Sequence, residues 1–253
     1  MQAYWQVDED HAPLDISEAG SHTDFKSVSL LEWGQWAAVR ENGSVVSSHP
    51  DFDRLRKVRK VLRGGYVLYE NGTLEGVGLR EMDRIRNVVE VKAGFKGGLA
   101  LTESGEIIPF GELELSSEPL QMTPRAFGAI WNNGGVAIGE EGSLHQWGTH
   151  EALASISPQN PLEIVDIQGG WTGFLALRDN GRVEVWSGNP APPNLPPFAR
   201  IAASGEIYAG QKSDQHWVAW GTDFGGVRDQ INEIGPALDL SFEANANGFA
   251  YLI

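Results

Sequence analysis

One short pattern governs this chain: an apolar strand, a tight turn ending in glycine, and a second strand. It runs through Trp36-Ala37-Ala38-Val39 before Asn42-Gly43, and through Gly65-Tyr66-Val67-Leu68 before Asn71-Gly72. It returns as Gly98-Leu99-Ala100-Leu101 before Ser104-Gly105, Gly135-Val136-Ala137-Ile138 before Glu141-Gly142, and Phe174-Leu175-Ala176-Leu177 before Asn180-Gly181. Glycine supplies the positive φ that a tight hairpin needs, and a preceding Asn tolerates the same region. Each copy therefore reads as a β-hairpin. The turn glycines (43, 72, 105, 142 and 181) lie 29, 33, 37 and 39 residues apart. A sixth copy ends at Trp220-Gly221 and has lost its turn glycine at Ser213-Asp214-Gln215.

Another β-like run precedes every hairpin. The seven runs are Phe25 to Leu31, Leu55 to Leu62, Ile85 to Lys92, Arg125 to Ile130, Leu162 to Gln168, Phe198 to Ala203 and Leu238 to Phe242. Residues Gly248-Phe249-Ala250-Tyr251-Leu252-Ile253 read as the first strand of a seventh hairpin without its second. Gln2-Ala3-Tyr4-Trp5-Gln6 resembles the missing partner, its Trp5 standing where Trp147 or Trp220 stands. A ring closed by mixing both ends in one sheet explains this split and removes exposed strand edges. The expected fold is all-β: one domain over residues 1–253, a seven-bladed β-propeller with repeats of about 36 residues, the last blade closed by the N-terminal strand. An open solenoid would instead want distinct capping repeats.

Composition narrows the function classes. The 253 residues include 34 acidic, 19 basic and no cysteine side chains, for a formal charge of −15. Such a chain repels phosphates as a whole, which argues against nucleic-acid binding. Without cysteine there are no disulfides, thiol nucleophiles or thiolate metal sites. No run of about 18 apolar residues would span a membrane, and the N-terminus lacks a signal-peptide pattern, so a cytoplasmic protein without membrane contact is expected. Charge is uneven, since residues 51–100 carry 11 of the 19 basic side chains. Arg54, Arg56, Lys57, Arg59, Lys60 and Arg63 form either a solvated strand face or a docking patch for an acidic partner.

The run Asp166-Ile167-Gln168-Gly169-Gly170-Trp171, then Phe174-Leu175-Ala176-Leu177, Asn180-Gly181 and Val183-Glu184-Val185-Trp186, resembles the repeat of the regulator of chromosome condensation family. In repeat length it is similar to compact bacterial relatives, the propeller-type β-lactamase inhibitory proteins among them. The resemblance covers nearly the whole chain and implies the propeller fold, with a partner-binding ring of aromatics just before each hairpin's first strand. Copies near residues 63–78 and 205–221 depart most from the motif. Neither an inserted wedge between strands nor a basic tail is present, so exchange-factor activity and chromatin binding are not implied.

No convergent catalytic set is legible. His11, His22, His49, His145, His150 and His216 lack metal-ligand spacing, and His145 and His150 flank a loop rather than sharing a helix face. Glu140-Glu141 and Glu112-Leu113-Glu114 read as surface acids. The paired glycines 64–65, 97–98, 134–135 and 169–170 recur before strands, which marks backbone packing rather than phosphate binding. No catalytic residue, metal ligand or cofactor is expected. Trp5, Trp147, Trp186 and Trp220 form one column read as packing between repeats.

A second column lies in the loop before each hairpin and holds Trp33, Leu62-Arg63, Phe95-Lys96, Asn132-Asn133, Trp171-Thr172, Glu206-Ile207 and Ala246-Asn247. Aromatics mixed with Arg and Asn have the composition of a binding hot spot; anchoring of the loops is the alternative. The expected partner-binding residues are Trp33, Arg63, Phe95, Lys96, Asn132, Asn133, Trp171, Thr172, Glu206, Ile207 and Asn247. The expected function is a non-enzymatic protein–protein interaction module, an inhibitor or adaptor acting as a monomeric ring. A lectin-like propeller is the alternative, disfavoured because repeated sugar sites should look alike. A hydrolase or lyase would need acids recurring in one repeat column, which are absent.

Overall fold

The computed structural model describes residues 3–7, 24–31, 35–78, 82–113, 118–131, 133–223, 226–243 and 248–252, of which 3–7, 243 and 248–252 are described as backbone only. In chain order the strands are β1 (Ala3–Val7), β2 (Phe25–Leu30), β3 (Trp36–Arg40), β4 (Val45–Ser47), β5 (Val58–Leu62), β6 (Tyr66–Tyr69) and β7 (Leu74–Gly76). There follow β8 (Val88–Ala93), β9 (Gly97–Thr102), β10 (Glu106–Gly111), β11 (Leu120–Gln121), β12 (Pro124–Ala129), β13 (Gly134–Gly139) and β14 (Leu144–Gly148). The remainder are β15 (Ile164–Gly169), β16 (Phe174–Arg178), β17 (Val183–Trp186), β18 (Arg200–Ser204), β19 (Ile207–Gln211), β20 (Trp217–Gly221), helix α1 (Val227–Glu233), β21 (Asp239–Glu243) and β22 (Gly248–Leu252). Among the described residues these strands form seven antiparallel sheets, six of three strands and one of four. Two compact units result, one of Met1–Arg86 with Asp223–Ile253, the other of Asn87–Thr222.

The first unit holds sheets β2-β3-β4, β5-β6-β7 and β21-β22-β1. In the last of these the N-terminal strand is the third member, with Tyr4 opposite Tyr251 and Trp5 opposite Ala250. The second unit holds β8-β9-β10-β11, β12-β13-β14, β15-β16-β17 and β18-β19-β20. Apart from β21-β22-β1, each sheet is a meander, so its first-to-second-strand loop and the end of its third strand share one end. Its hairpin turn occupies the other.

The hairpin turns are near copies of one another. At Gly43, Gly72, Gly105, Gly142 and Gly181 the amide donates to the carbonyl three residues back, at 2.9–3.0 Å, and φ runs from 76° to 82°. This is the three-residue hairpin with a left-handed closing residue. In the sixth copy Gln215 takes the glycine's place at φ 69° and bonds Lys212 in the same way. Asp214 there accepts from the His216 amide, as Asn42, Asn71 and Asn180 accept from residues two further on.

Burial follows the sheets. Within Asn87–Thr222, Ile138, Ile164, Ile167, Phe174 and Trp186 form one core. Leu99, Ile107, Phe127 and Trp147 form a second, and Leu175, Phe198, Tyr208 and Trp220 a third. Trp147, Trp186 and Trp220 are thus packing residues, as their shared column predicts. In the other unit Val39, Phe52, Val58 and Val67 pack between β2-β3-β4 and β5-β6-β7. Full burial of one such side chain contributes about 2–3 kcal/mol. Helix α1 has no counterpart in the repeat pattern; Val227 and Ile231, one turn apart, bury one face of it. No helix among the described residues is long and apolar enough to cross a membrane.

Candidate functional site

In Asn87–Thr222 the first-to-second-strand loops of the four sheets are bonded to one another in series. The amides of Phe95 and Lys96 donate to the Trp131 carbonyl at 3.1 and 3.3 Å. The Trp131 amide donates to Gly170 at 3.0 Å, and the Trp171 amide to Gly205 at 2.6 Å. This contact needs bare backbone: a Cβ on Gly94 would strike the Ile130 carbonyl, one on Gly169 the Ala129 carbonyl, and one on Gly170 the Gly205 carbonyl. Gly94, Gly169 and Gly170 therefore set the spacing of the loops.

On this backbone stands a row of half-buried aromatics. Phe95 and Trp131 stack with ring centroids 4.4 Å apart and planes 4° from parallel. Trp171 meets Trp131 edge-on at 5.1 Å and 76°. Its indole Nε1 is buried without a hydrogen-bond partner. Such stacked and edge-on pairs hold one another's orientation and contribute about 1 kcal/mol each beyond area burial.

Polar groups frame the row. Lys96 pairs with Glu112 at 3.2 Å, and the Glu112 amide donates to the Lys96 carbonyl at 2.8 Å. The Asn133 carbonyl accepts from the amides of Thr149 and His150, and its side-chain amide donates to the Thr149 hydroxyl at 3.1 Å. Asn189 donates to the carbonyl of Glu206 at 3.2 Å, to its carboxylate at 3.4 Å and to the Thr222 hydroxyl at 2.9 Å. Beneath the loops the Tyr208 ring is fully buried. Burial pushes its phenol up to about 12, with the Thr172 hydroxyl acting the other way and the Glu206 carboxylate adding to the rise.

The structure brings Phe95, Lys96, Asn133, Trp171, Thr172 and Glu206 to one end of Asn87–Thr222. Ile207 does not join them. It opens β19 eight residues before Gln215, as Gly97 and Gly134 open β9 and β13 eight residues before their turn glycines, and as a strand residue its side chain is fully buried. As a partner contact it is corrected. Arg63 lies in the other unit, half-buried, its guanidinium donating to the Phe242 carbonyl at 2.7 Å. Trp33, Asn132 and Asn247, like His11 and His22, lie outside the described residues.

Trp131, the centre of the row, escapes the sequence reading. The loop before β13 is one residue longer than the loop before β9, so counting back from the hairpin lands on Asn132-Asn133 and steps over it. Counting forward from the end of β12 would have found it. Of the basic segment, Arg54 pairs with Asp51 at 3.5 Å and Arg56 caps the carbonyls of Asp53 and Leu55. Arg59 and Lys60 are both exposed because a bulge between Val58 and Lys60 breaks the alternation of β5.

Neither a protein-family model nor a curated protein sequence matches the chain. Solved structures do. Prp20p of Saccharomyces cerevisiae superposes with a TM-score of 0.67 at 13% identity, over 94% of this chain and 83% of that one. The CRINKLY WD40 ectodomain of the Arabidopsis thaliana receptor kinase ACR4 gives 0.65 at 16% identity, over 87% and 89%. The β-propeller domain of Myceliophteria thermophila Cps50 gives 0.51 at 10% identity, over 90% and 96%. Prp20 is the yeast RCC1. At these identities the likeness is one of architecture, and on that footing the chain has an RCC1-like propeller fold.

Proposed function

We propose that the chain is a non-enzymatic protein-interaction module: a closed seven-bladed propeller, one domain, that holds a protein partner on the loop end carrying Phe95, Trp131 and Trp171. Two observations support the ring. Strand β1 completes the sheet of β21 and β22, and the Prp20p propeller matches 94% of the chain. Removing residues 1–7 should therefore lower the thermal unfolding midpoint sharply; an unchanged midpoint would contradict closure.

The observation that carries the function is the aromatic row itself. Three large rings stand half-buried on loops whose backbones are already bonded together, so little conformational entropy is left to lose on docking. Side chains there differ from loop to loop, as recognition of one particular surface requires and a set of equivalent sugar sites does not. Among the neighbours, yeast RCC1 is seen bound to Kap60, and Prp20p has been studied for binding to Gsp1p and histones. Neither partner is carried over to this chain.

The test is comparative capture. Wild type and the Phe95→Ala/Trp131→Ala/Trp171→Ala variant are immobilised, and any protein recovered is purified and titrated against both. The expected result is a stoichiometric protein partner whose affinity falls at least about 30-fold in the variant, with its unfolding midpoint nearly kept. Equal binding to both proteins, or glycan-array hits without a protein partner, would contradict the reading.

A further inference from the structure

Resting on that reading, we infer that the partner presents a cationic, arginine-bearing segment to the aromatic row of Asn87–Thr222. The argument is one of charge around rings. Three carboxylates belong to loops at the same end as the row, each placed by its loop. Glu112 is tied to Lys96 by its amide. Glu151 follows His150, whose amide bonds the Asn133 carbonyl. Glu206 follows Gly205, which accepts the Trp171 amide. Glu112 and Glu151 are exposed and Glu206 is half-buried.

Against these stands one basic side chain among the described residues of the loops, Lys96, already paired with Glu112 at 3.2 Å. Glu151 and Glu206 thus leave this loop end, which carries the indole rings, with a net negative charge. A guanidinium suits both features. It is planar and weakly hydrated, stacks on an indole face and offers in-plane N–H groups to carboxylates at the edge. An acidic segment would meet like charge. An uncharged apolar one would strip water from the carboxylates without replacing their partners. Lysine fits less well, because its compact ammonium is more strongly hydrated.

The experiment titrates the full chain, at physiological ionic strength, with a fluorescent peptide of repeated Arg-Gly-Ser and with its Lys and Glu counterparts. Saturable binding is expected for the Arg peptide, weaker binding for the Lys peptide and none for the Glu peptide. Trp131→Ala/Trp171→Ala should weaken the Arg peptide about tenfold, and Glu151→Gln/Glu206→Gln about fivefold. Glu103→Gln/Glu140→Gln, at the hairpin end, should leave it unchanged, which separates a site from diffuse attraction to an acidic protein. No saturable binding, preference for the Glu peptide, or equal loss in the hairpin-end variant would overturn the proposal. A partner that capture shows to depend on the aromatic row, together with a silent Arg peptide, would overturn the cationic chemistry while the docking surface stands.

Discussion

The two ends of the sheets in Asn87–Thr222 are held together by different means. At the hairpin end, closure depends on the residue in the left-handed position, which is Gly105, Gly142 or Gly181, with Gln215 as the departure. Turn acids such as Glu103, Glu140 and Asp179 point to solvent, their amides bonded to the residue before each first strand. At the loop end the backbone is fixed by amide–carbonyl bonds from loop to loop, and the side chains differ: Phe95, Trp131, Trp171, Glu206. One end spends its sequence on shape. The other has its shape set by backbone and glycine, which frees the loop tips to carry recognition.

This contrast can be broken most severely at Gly169. A Cβ there meets the backbone of Ala129 and Ile130, which cannot swing aside as a side chain would. Gly169→Ala should cost roughly 3 kcal/mol, read as a lowered midpoint in chemical denaturation. A loss below about 1 kcal/mol would mean that the loop end is looser than its hydrogen bonds indicate.

Tyr208 gives a pH test of the packing under the loops. Unfolded tyrosine titrates near 10 and the folded phenol near 12, so on raising the pH the unfolded chain loses its proton first. Stability is then fully present below about pH 10 and falls by about 2–3 kcal/mol by about pH 12. Tyr69 in the other unit is also raised, by burial first and then by its hydrogen bond to Glu75, so the informative quantity is the difference between proteins. Tyr208→Phe should flatten the alkaline slope; an unaltered slope would contradict burial of this hydroxyl.

At the hairpin end, Gly181→Ala forces a side chain into φ 79° and against the backbone of Phe198. A loss of roughly 1–2 kcal/mol is expected in thermal unfolding, with no change in partner affinity. The smallest effect on stability belongs to Trp131→Ala, about 1 kcal/mol for a half-buried ring, and the same substitution should produce a large loss of binding. If Gly181→Ala weakened the partner as much as Trp131→Ala, the division of labour between the ends would fail.

The hairpins were legible because their cause is local. A glycine with positive φ behind an apolar strand leaves its mark within a few residues, and even Gln215 could be placed by counting from Trp220. The tryptophan column was legible because strand register repeats. The aromatic row was only half legible: Phe95 and Trp171 fall at the counted positions, whereas a one-residue loop extension hides Trp131. Ile207 shows a different error: it occupies the first strand position, as Gly97 and Gly134 do, so its side chain belongs to the core rather than to the loop. Helix α1 breaks the repeat, and only the spacing of Val227 and Ile231 hints at it.

The most direct test of the central claim is oxidative footprinting of the native protein with and without its captured partner. Protection of Phe95, Trp131 and Trp171, with Met122 and His145 toward the hairpin end still reactive, is the expected result. Protection at the hairpin end with the three rings unchanged would contradict it.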